Sequence, residues 1–163
     1  NRCCTTEEVM QKITIFAVGS IKKSWINEGC LDYMSRIRHE YSCDLIELPA
    51  SKQKDPTKQL QEESQTILNR LAKMKGLVFV LDERGEALSS EACSQVMSEA
   101  ADRGDPLIFI IGGAYGLSDE VRRKADRTIK LSDMTLPHEL CRIVFLEQLY
   151  RARQIVKGTG YHH

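Results

Sequence analysis

Apolar and polar positions along this chain switch repeatedly between a period of two and a period near four. Lys12–Val18 (KITIFAV) is a compact β-rich run closed by Gly19. Over residues 25–39 the spacing becomes helical, with Ile26, Leu31, Met34 and Ile37 forming an approximate stripe. Residues 44–48 predict a second short strand stopped by Pro49, and polar residues 50–57 read as a loop. Residues 57–75 carry Leu60, Ile67, Leu68 and Leu71 at helical spacing, with Gly76 as the stop. Residues 77–81 (LVFVL) and Leu107–Ile111 (LIFII) are unbroken apolar runs, the pattern of strands covered on both faces. Between them, residues 82–88 read as a turn-rich loop, and Ser89 or Ser90 caps a helix ending near Arg103. Ser118 caps a short helix, with Asp119 and Glu120 suited to its first turn. Residues 127–131 form the last predicted strand, and Pro137 suits the first turn of a helix running to about Lys157. The order βαβαβαβαβα predicts an α/β fold with a mainly parallel sheet and helices on both faces.

The last helix is more apolar than one buried face requires. Leu140, Ile143, Val144, Phe145, Leu146, Leu149, Tyr150, Ile155 and Val156 cover more than one side. A single sheet gives this helix one core to face, so the second apolar face predicts a subunit interface. Residues 1–9 read as a leader or an expression remnant, and residues 10–163 as a single domain.

Composition narrows the function classes. Lys+Arg and Asp+Glu both number 23, which argues against an indiscriminate polyanion binder but leaves room for a local basic patch. Arg151, Arg153 and Lys157, with Arg122, Arg123, Lys124 and Arg127, are the candidates for such a patch. The six cysteines form no C-x-x-C pair and have no zinc-type spacing to histidine, so they read as reduced structural thiols of a cytoplasmic protein. No segment has the apolar length of a membrane span, and no membrane partner is expected.

The chemistry concentrates in the last third. The strand Leu107–Ile111 runs into Gly112-Gly113-Ala114-Tyr115-Gly116, and the last strand runs into Ser132-Asp133-Met134-Thr135-Leu136-Pro137-His138. Strand ends that open into such loops before a helix mark a small-molecule pocket at the carboxyl edge of a sheet. The glycines either make a tight turn or let main-chain N–H groups approach a ligand closely. Ser132 and Thr135 add hydroxyls, and Leu81, Met134 and Leu136 are suited to sandwich a flat adenine-like ring. The dinucleotide fingerprint, the P-loop, H-E-x-x-H and G-x-S-x-G are all absent, so no metal site or hydride cofactor is read from motifs.

A set of residues spread over the whole chain now resembles one family. They are Met10 with Lys12-Ile13, Ala17-Val18-Gly19, Leu81-Asp82 with Gly85, Ile111-Gly112-Gly113 with Gly116-Leu117, Leu131-Ser132, and Met134-Thr135-Leu136-Pro137-His138. Arg142, Glu147-Gln148-Leu149-Tyr150-Arg151-Ala152 and the terminal Tyr161-His162 complete the set. Together they look like the RlmH family of SPOUT-class 23S rRNA pseudouridine N3-methyltransferases, over residues 10–163. The resemblance implies a C-terminal trefoil knot, a homodimer through the last helix, and S-adenosylmethionine as methyl donor without a metal. It also implies as target a pseudouridine in the helix-69 loop of large-subunit rRNA within the assembled ribosome. By motif position it implies cofactor contacts at Leu81, Gly112, Leu131, Ser132, Asp133, Met134, Thr135 and Leu136. Asp133 stands where relatives carry small or basic residues.

The resemblance assigns His138, Arg142, Tyr161 and His162 to catalysis. His138 would orient the base or relay its proton, or else cap the helix start. Arg142 would bind phosphate or steady a developing anion, or else pair with Glu139 or with an acid of a second subunit. Tyr161 and His162 would close over the pocket as a tail behind Gly158-Thr159-Gly160 and contact the flipped nucleotide. Glu147 and Arg151 read as an ion pair one helical turn apart. The competing classes are a noncatalytic cofactor-binding module on the same fold and a small-molecule oxidoreductase.

Overall fold

The computed structural model describes residues 9–163; the predictions for Cys3, Cys4 and residues 1–8 lie outside them. Five parallel strands form one sheet, β1 (Lys12–Val18), β2 (Ser42–Leu48), β3 (Leu77–Ala87), β4 (Leu107–Ile111) and β5 (Arg127–Lys130), in the order β2-β1-β4-β3-β5. Five helices alternate with them: α1 (Ser24–Ile37), α2 (Pro56–Leu71), α3 (Ser90–Asp102), α4 (Asp119–Lys124) and α5 (His138–Lys157).

Side chains alternate across each strand, so the central apolar runs feed two cores. Ile13, Ile15 and Ala17 of β1, with Leu107, Phe109 and Ile111 of β4, face α1, α3 and α5. Phe16 and Val18, with Ile108 and Ile110, face α2 and α4. Phe109 sits between Phe79 of β3 and Phe145 of α5, with ring centroids 5.2 and 4.7 Å apart. Helix starts follow their caps. Ser89 accepts from the Ala92 N–H at 3.1 Å, Ser118 from the Val121 N–H at 3.2 Å, and Asp55 from the Lys58 N–H at 3.3 Å ahead of Pro56.

Several boundaries depart from the sequence reading; β2 begins at Ser42, and α2 ends at Leu71, short of the predicted residue 75. Pro137 lies just before α5 instead of in its first turn. Residues 82–88, predicted to be a loop, largely belong to β3. The strand pairs Leu81 with Ile129, makes a jog, and pairs again with β5 through Glu86–Ile129 and Ala87–Lys130. Gly85 is what lets it do so. A Cβ there would stand 2.6–2.7 Å from the Ile129 main chain, closer than any side chain tolerates.

Candidate functional site at the carboxyl edge of the sheet

Because every strand runs the same way, all five carboxyl ends share one edge. The register makes the juxtaposition specific. Ala17 of β1 and Leu81 of β3 both pair with Ile111 of β4, and Leu81 also pairs with Ile129 of β5. Leu81, Gly112 and Leu131, distant in sequence, therefore lie within two residues of a common row.

The glycine turn after β4 is self-closing. Gly116 N–H donates to the Gly113 carbonyl at 3.0 Å, with Gly116 in the left-handed region at φ +75°. A Cβ on Gly112 would lie 2.7 Å from the Gly116 oxygen, so glycine at 112 serves the closure of the turn. Gly113 meets a different neighbour: its Cβ would lie 3.2 Å from Oε1 of Glu63 on α2. Glu63 is only 4% exposed. Its Oε2 accepts the Ser51 N–H at 3.1 Å, while its Oε1 has no hydrogen-bond partner among the described residues. Glu63 thus joins the loop after β2 to the turn after β4. The sequence reading missed it; the available signal was a charged residue three positions after Leu60 and four before Ile67, on the apolar stripe of α2.

The loop after β5 is held lightly. Ser132 Oγ accepts the Met134 N–H at 2.9 Å, and Lys130 pairs with Asp133, holding the Asp133 carboxyl below its ordinary range. Among the described residues no main-chain to main-chain hydrogen bond involves Ser132, Asp133, Met134 or Thr135. Met134 is 79% exposed, and Leu81, Leu131 and Leu136 are half-buried. Free main-chain donors and acceptors between apolar side chains are the chemistry that an adenine ring and the polar ends of S-adenosylmethionine require, so these residues fit that group. His138 follows as the exposed first residue of α5.

Arg142 is placed otherwise than the reading as a phosphate ligand requires. It is among the largest fully buried side chains. Its Nη1 donates to Glu47 Oε2 and its Nη2 to the Gly19 carbonyl, both at 2.9 Å. The alternative pairing with Glu139 is also not made, since Glu139 accepts the Lys22 N–H at 2.5 Å. Arg142 instead ties α5 to the ends of β1 and β2.

Tyr161 and His162 lie away from the cofactor loop within one chain. The Tyr161 hydroxyl donates to Glu147 at 3.2 Å, its ring meets Tyr150 edge-on at 5.0 Å, and the Arg151 guanidinium lies over it at 4.9 Å. His162 meets Glu91 at 2.7 Å through Nε2 and Arg151 at 3.1 Å through Nδ1. Glu147 is nine residues past His138, about 14 Å along the helix, so the tail does not close over its own chain's pocket. Burial, with Glu147 adding to it, pushes the Tyr161 phenol up to about 12. Glu147 and Arg151 pair at 2.6 Å, as their spacing predicted.

Most of the anticipated basic patch is neutralised internally. Arg122 is bound by Asp82 and Asp119, Arg127 by Glu86, Arg151 by Glu147, and Arg153 and Lys157 by Glu40. A cavity of about 290 Å³ opens at the opposite, amino edge of the sheet, between Lys12, Lys73 and Lys75; none of the predicted site residues lines it. Among the described residues no helix is long and apolar enough to cross a membrane, and no cluster of His, Cys, Asp or Glu can hold a metal ion.

Comparison with known proteins agrees with this geometry. The family model described as "Predicted SPOUT methyltransferase" matches residues 11–162. The Ribosomal RNA large subunit methyltransferase H of Geotalea daltonii is 40% identical over 153 residues, 93% of this chain and 99% of that protein. The Streptococcus mutans protein of the same name is 37% identical over 158 residues, 93% of this chain and 99% of that protein. Among solved structures, a putative methylase family protein from Neisseria gonorrhoeae superposes with a TM-score of 0.54 at 11% identity, covering 92% of this chain and 86% of that one, a likeness of fold.

Proposed function

Because the chain belongs to the SPOUT methyltransferase family, we propose that it transfers a methyl group from S-adenosylmethionine to large-subunit rRNA. The target within that reading is N3 of a pseudouridine in the helix-69 loop, methylated on assembled ribosomes in the cytoplasm. The observation that carries the proposal is the convergence of Leu81, Gly112 and Leu131 on one row of the sheet edge, beside a loop with unpaired main-chain groups. The family's trefoil knot belongs to the same reading, as does a single domain over residues 10–163.

When bound, S-adenosylmethionine supplies an electrophilic methyl on a positively charged sulfur. This chain's residues must then bind, orient and manage one proton. Leu81, Gly112, Leu131, Ser132, Asp133, Met134, Thr135 and Leu136 hold the donor, with Leu and Met side chains along the ring and main-chain groups on its polar edges. His138, exposed beside that loop, orients the base or relays the proton that N3 must lose. Arg142 acts at one remove, as a positioning residue that fixes the Gly19 end of β1 against α5. Tyr161, with a phenol at about 12, remains protonated at neutral pH and contributes its ring and its O–H rather than a base.

The tail reaches a pocket only if a second copy provides one. The second apolar face of α5, including half-buried Val144 and Ile155 and exposed Val156, is the surface for that copy. Sedimentation as a monomer at micromolar concentration contradicts the dimer. Removal of residues 161–163 tests the site: methyl transfer to ribosomes falls to background while S-adenosylmethionine binding, measured by calorimetry, is retained. Full transfer by the truncated protein excludes the tail from the reaction.

A further inference from the structure

Internal pairing takes up most of the α4 and α5 cations, Arg123 and Lys124 excepted, and the positions of other exposed lysines are informative. Among the described residues, Lys22, Lys23, Lys52, Lys54 and Lys58 are exposed and enter no ion pair. Lys22 and Lys23 lie in the loop between β1 and α1; Lys52 and Lys54 lie in the loop between β2 and α2, with Lys58 in the first turn of α2. β1 and β2 are neighbours in the sheet, so these two loops emerge side by side at the carboxyl edge.

Both loops are fastened to the candidate site. The Lys22 N–H is bound by Glu139 in the first turn of α5, next to His138. The Gly19 carbonyl behind it is held by Arg142. The Ser51 N–H is bound by Glu63, whose other oxygen faces Gly113. The main chain of both lysine-bearing loops is therefore anchored beside the pocket.

The same edge exposes large apolar side chains. Trp25, the single tryptophan, is 57% exposed on the second residue of α1, shortly after Lys22 and Lys23. Tyr115 in the glycine turn is 53% exposed and Met134 in the loop after β5 is 79% exposed. Unpaired lysines beside an exposed aromatic ring are the elements of a single-stranded nucleic-acid surface: cations meet phosphates, and bases stack on rings.

We propose that the loops after β1 and β2, with Lys22, Lys23, Lys52, Lys54 and Trp25, form the face on which an unpaired RNA segment docks beside the pocket. This rests on the reading of the chain as an RNA methyltransferase. It assigns RNA binding to the β2–β1 side of the edge instead of to the arginines of α4 and α5.

The test uses the full chain. K22A/K23A and K52A/K54A each raise the KM for ribosomes by about tenfold. Each also flattens the slope of log affinity against log salt, by about 1 for every phosphate no longer neutralised. Calorimetric affinity for S-adenosylmethionine stays unchanged in both. K73A/K75A, at the amino edge, matches wild type in all respects. Trp25 emission, the only tryptophan signal in the chain, is quenched on titration with a synthetic pseudouridine-bearing RNA hairpin at low salt, and W25A binds that hairpin about tenfold more weakly.

Wild-type KM values in both lysine variants, alongside normal transfer by the unchanged protein, overturn the docking face and leave the proposed function standing. Absence of transfer by the unchanged protein strikes at the proposed function itself. Trp25 emission that ignores RNA but shifts on protein dilution assigns that ring to a second copy of the chain and overturns its role here.

Discussion

Arg142 shows how a single side chain can be misread when its partner lies far along the chain. A polar residue on a helix beside a proposed pocket suggests a ligand contact; burial against Glu47 and Gly19, more than ninety residues earlier in sequence, gives it a different task. Removing it leaves a cavity and an unpaired Gly19 carbonyl, while Glu47, half-exposed, keeps part of its hydration. The Arg142→Ala variant is therefore expected to lose about 3 kcal/mol of stability, read from urea denaturation. Tyr161 carries a prediction in pH. Its folded-state phenol sits at about 12 against an ordinary value of 10, so the docked tail holds the proton more tightly than the free one. The tail's contribution is complete below pH 10 and is lost as pH rises from 10 to about 12. The phenolate absorbance of wild type minus that of Tyr161→Phe shows this late step; a titration centred at 10 contradicts the docking.

At the scale of elements, glycines separate the neighbours that can yield from those that cannot. A Cβ on Gly85 would lie 2.6 Å from the Ile129 main chain, and nothing there can move without breaking the β3–β5 ladder. Gly29 of α1 faces only the far end of the Ile143 side chain on α5, which can adopt another rotamer. Gly85→Ala is expected to cost about 3 kcal/mol or more, and Gly29→Ala about 1 kcal/mol, in denaturant midpoints. Equal costs would show that the jog in β3 is not rigid. The order of all ten elements was legible because β4 and the first half of β3 are apolar at every position and the helices carry stripes with Ser or Pro near their starts. The second half of β3 was not legible. Asp82-Glu83-Arg84-Gly85 has the composition of a turn and forms the jog, and the pairing of Glu86 and Ala87 beyond it is fixed by β5, more than forty residues away.

At the scale of the whole molecule, the parallel sheet converts separated motifs into one edge. The loop of Leu131 to Leu136 and the glycine turn were readable as chemistry from sequence, and the register brings both to the level of Leu81. The distribution of charge was not readable. A balanced chain with 23 basic and 23 acidic residues can hide which cations are free: the Glu147–Arg151 pair was readable from its spacing, but only the fold shows Arg122 and Arg127 paired with the distant acids Asp82 and Glu86. Nor could sequence show that the Tyr161-His162 tail lies about 14 Å along α5 from His138, a separation that requires a second copy if both belong to one reaction.

The central claim is methyl transfer to a pseudouridine of large-subunit rRNA. The most direct measurement supplies labelled S-adenosylmethionine and intact ribosomes, comparing ribosomes that carry the helix-69 pseudouridines with ribosomes that have uridine there. Label is expected in large-subunit rRNA with the pseudouridine-bearing ribosomes, and little with the others. Equal labelling of both contradicts the N3-pseudouridine target, and no label in either, with the methyl donor still bound, contradicts the activity on ribosomes altogether.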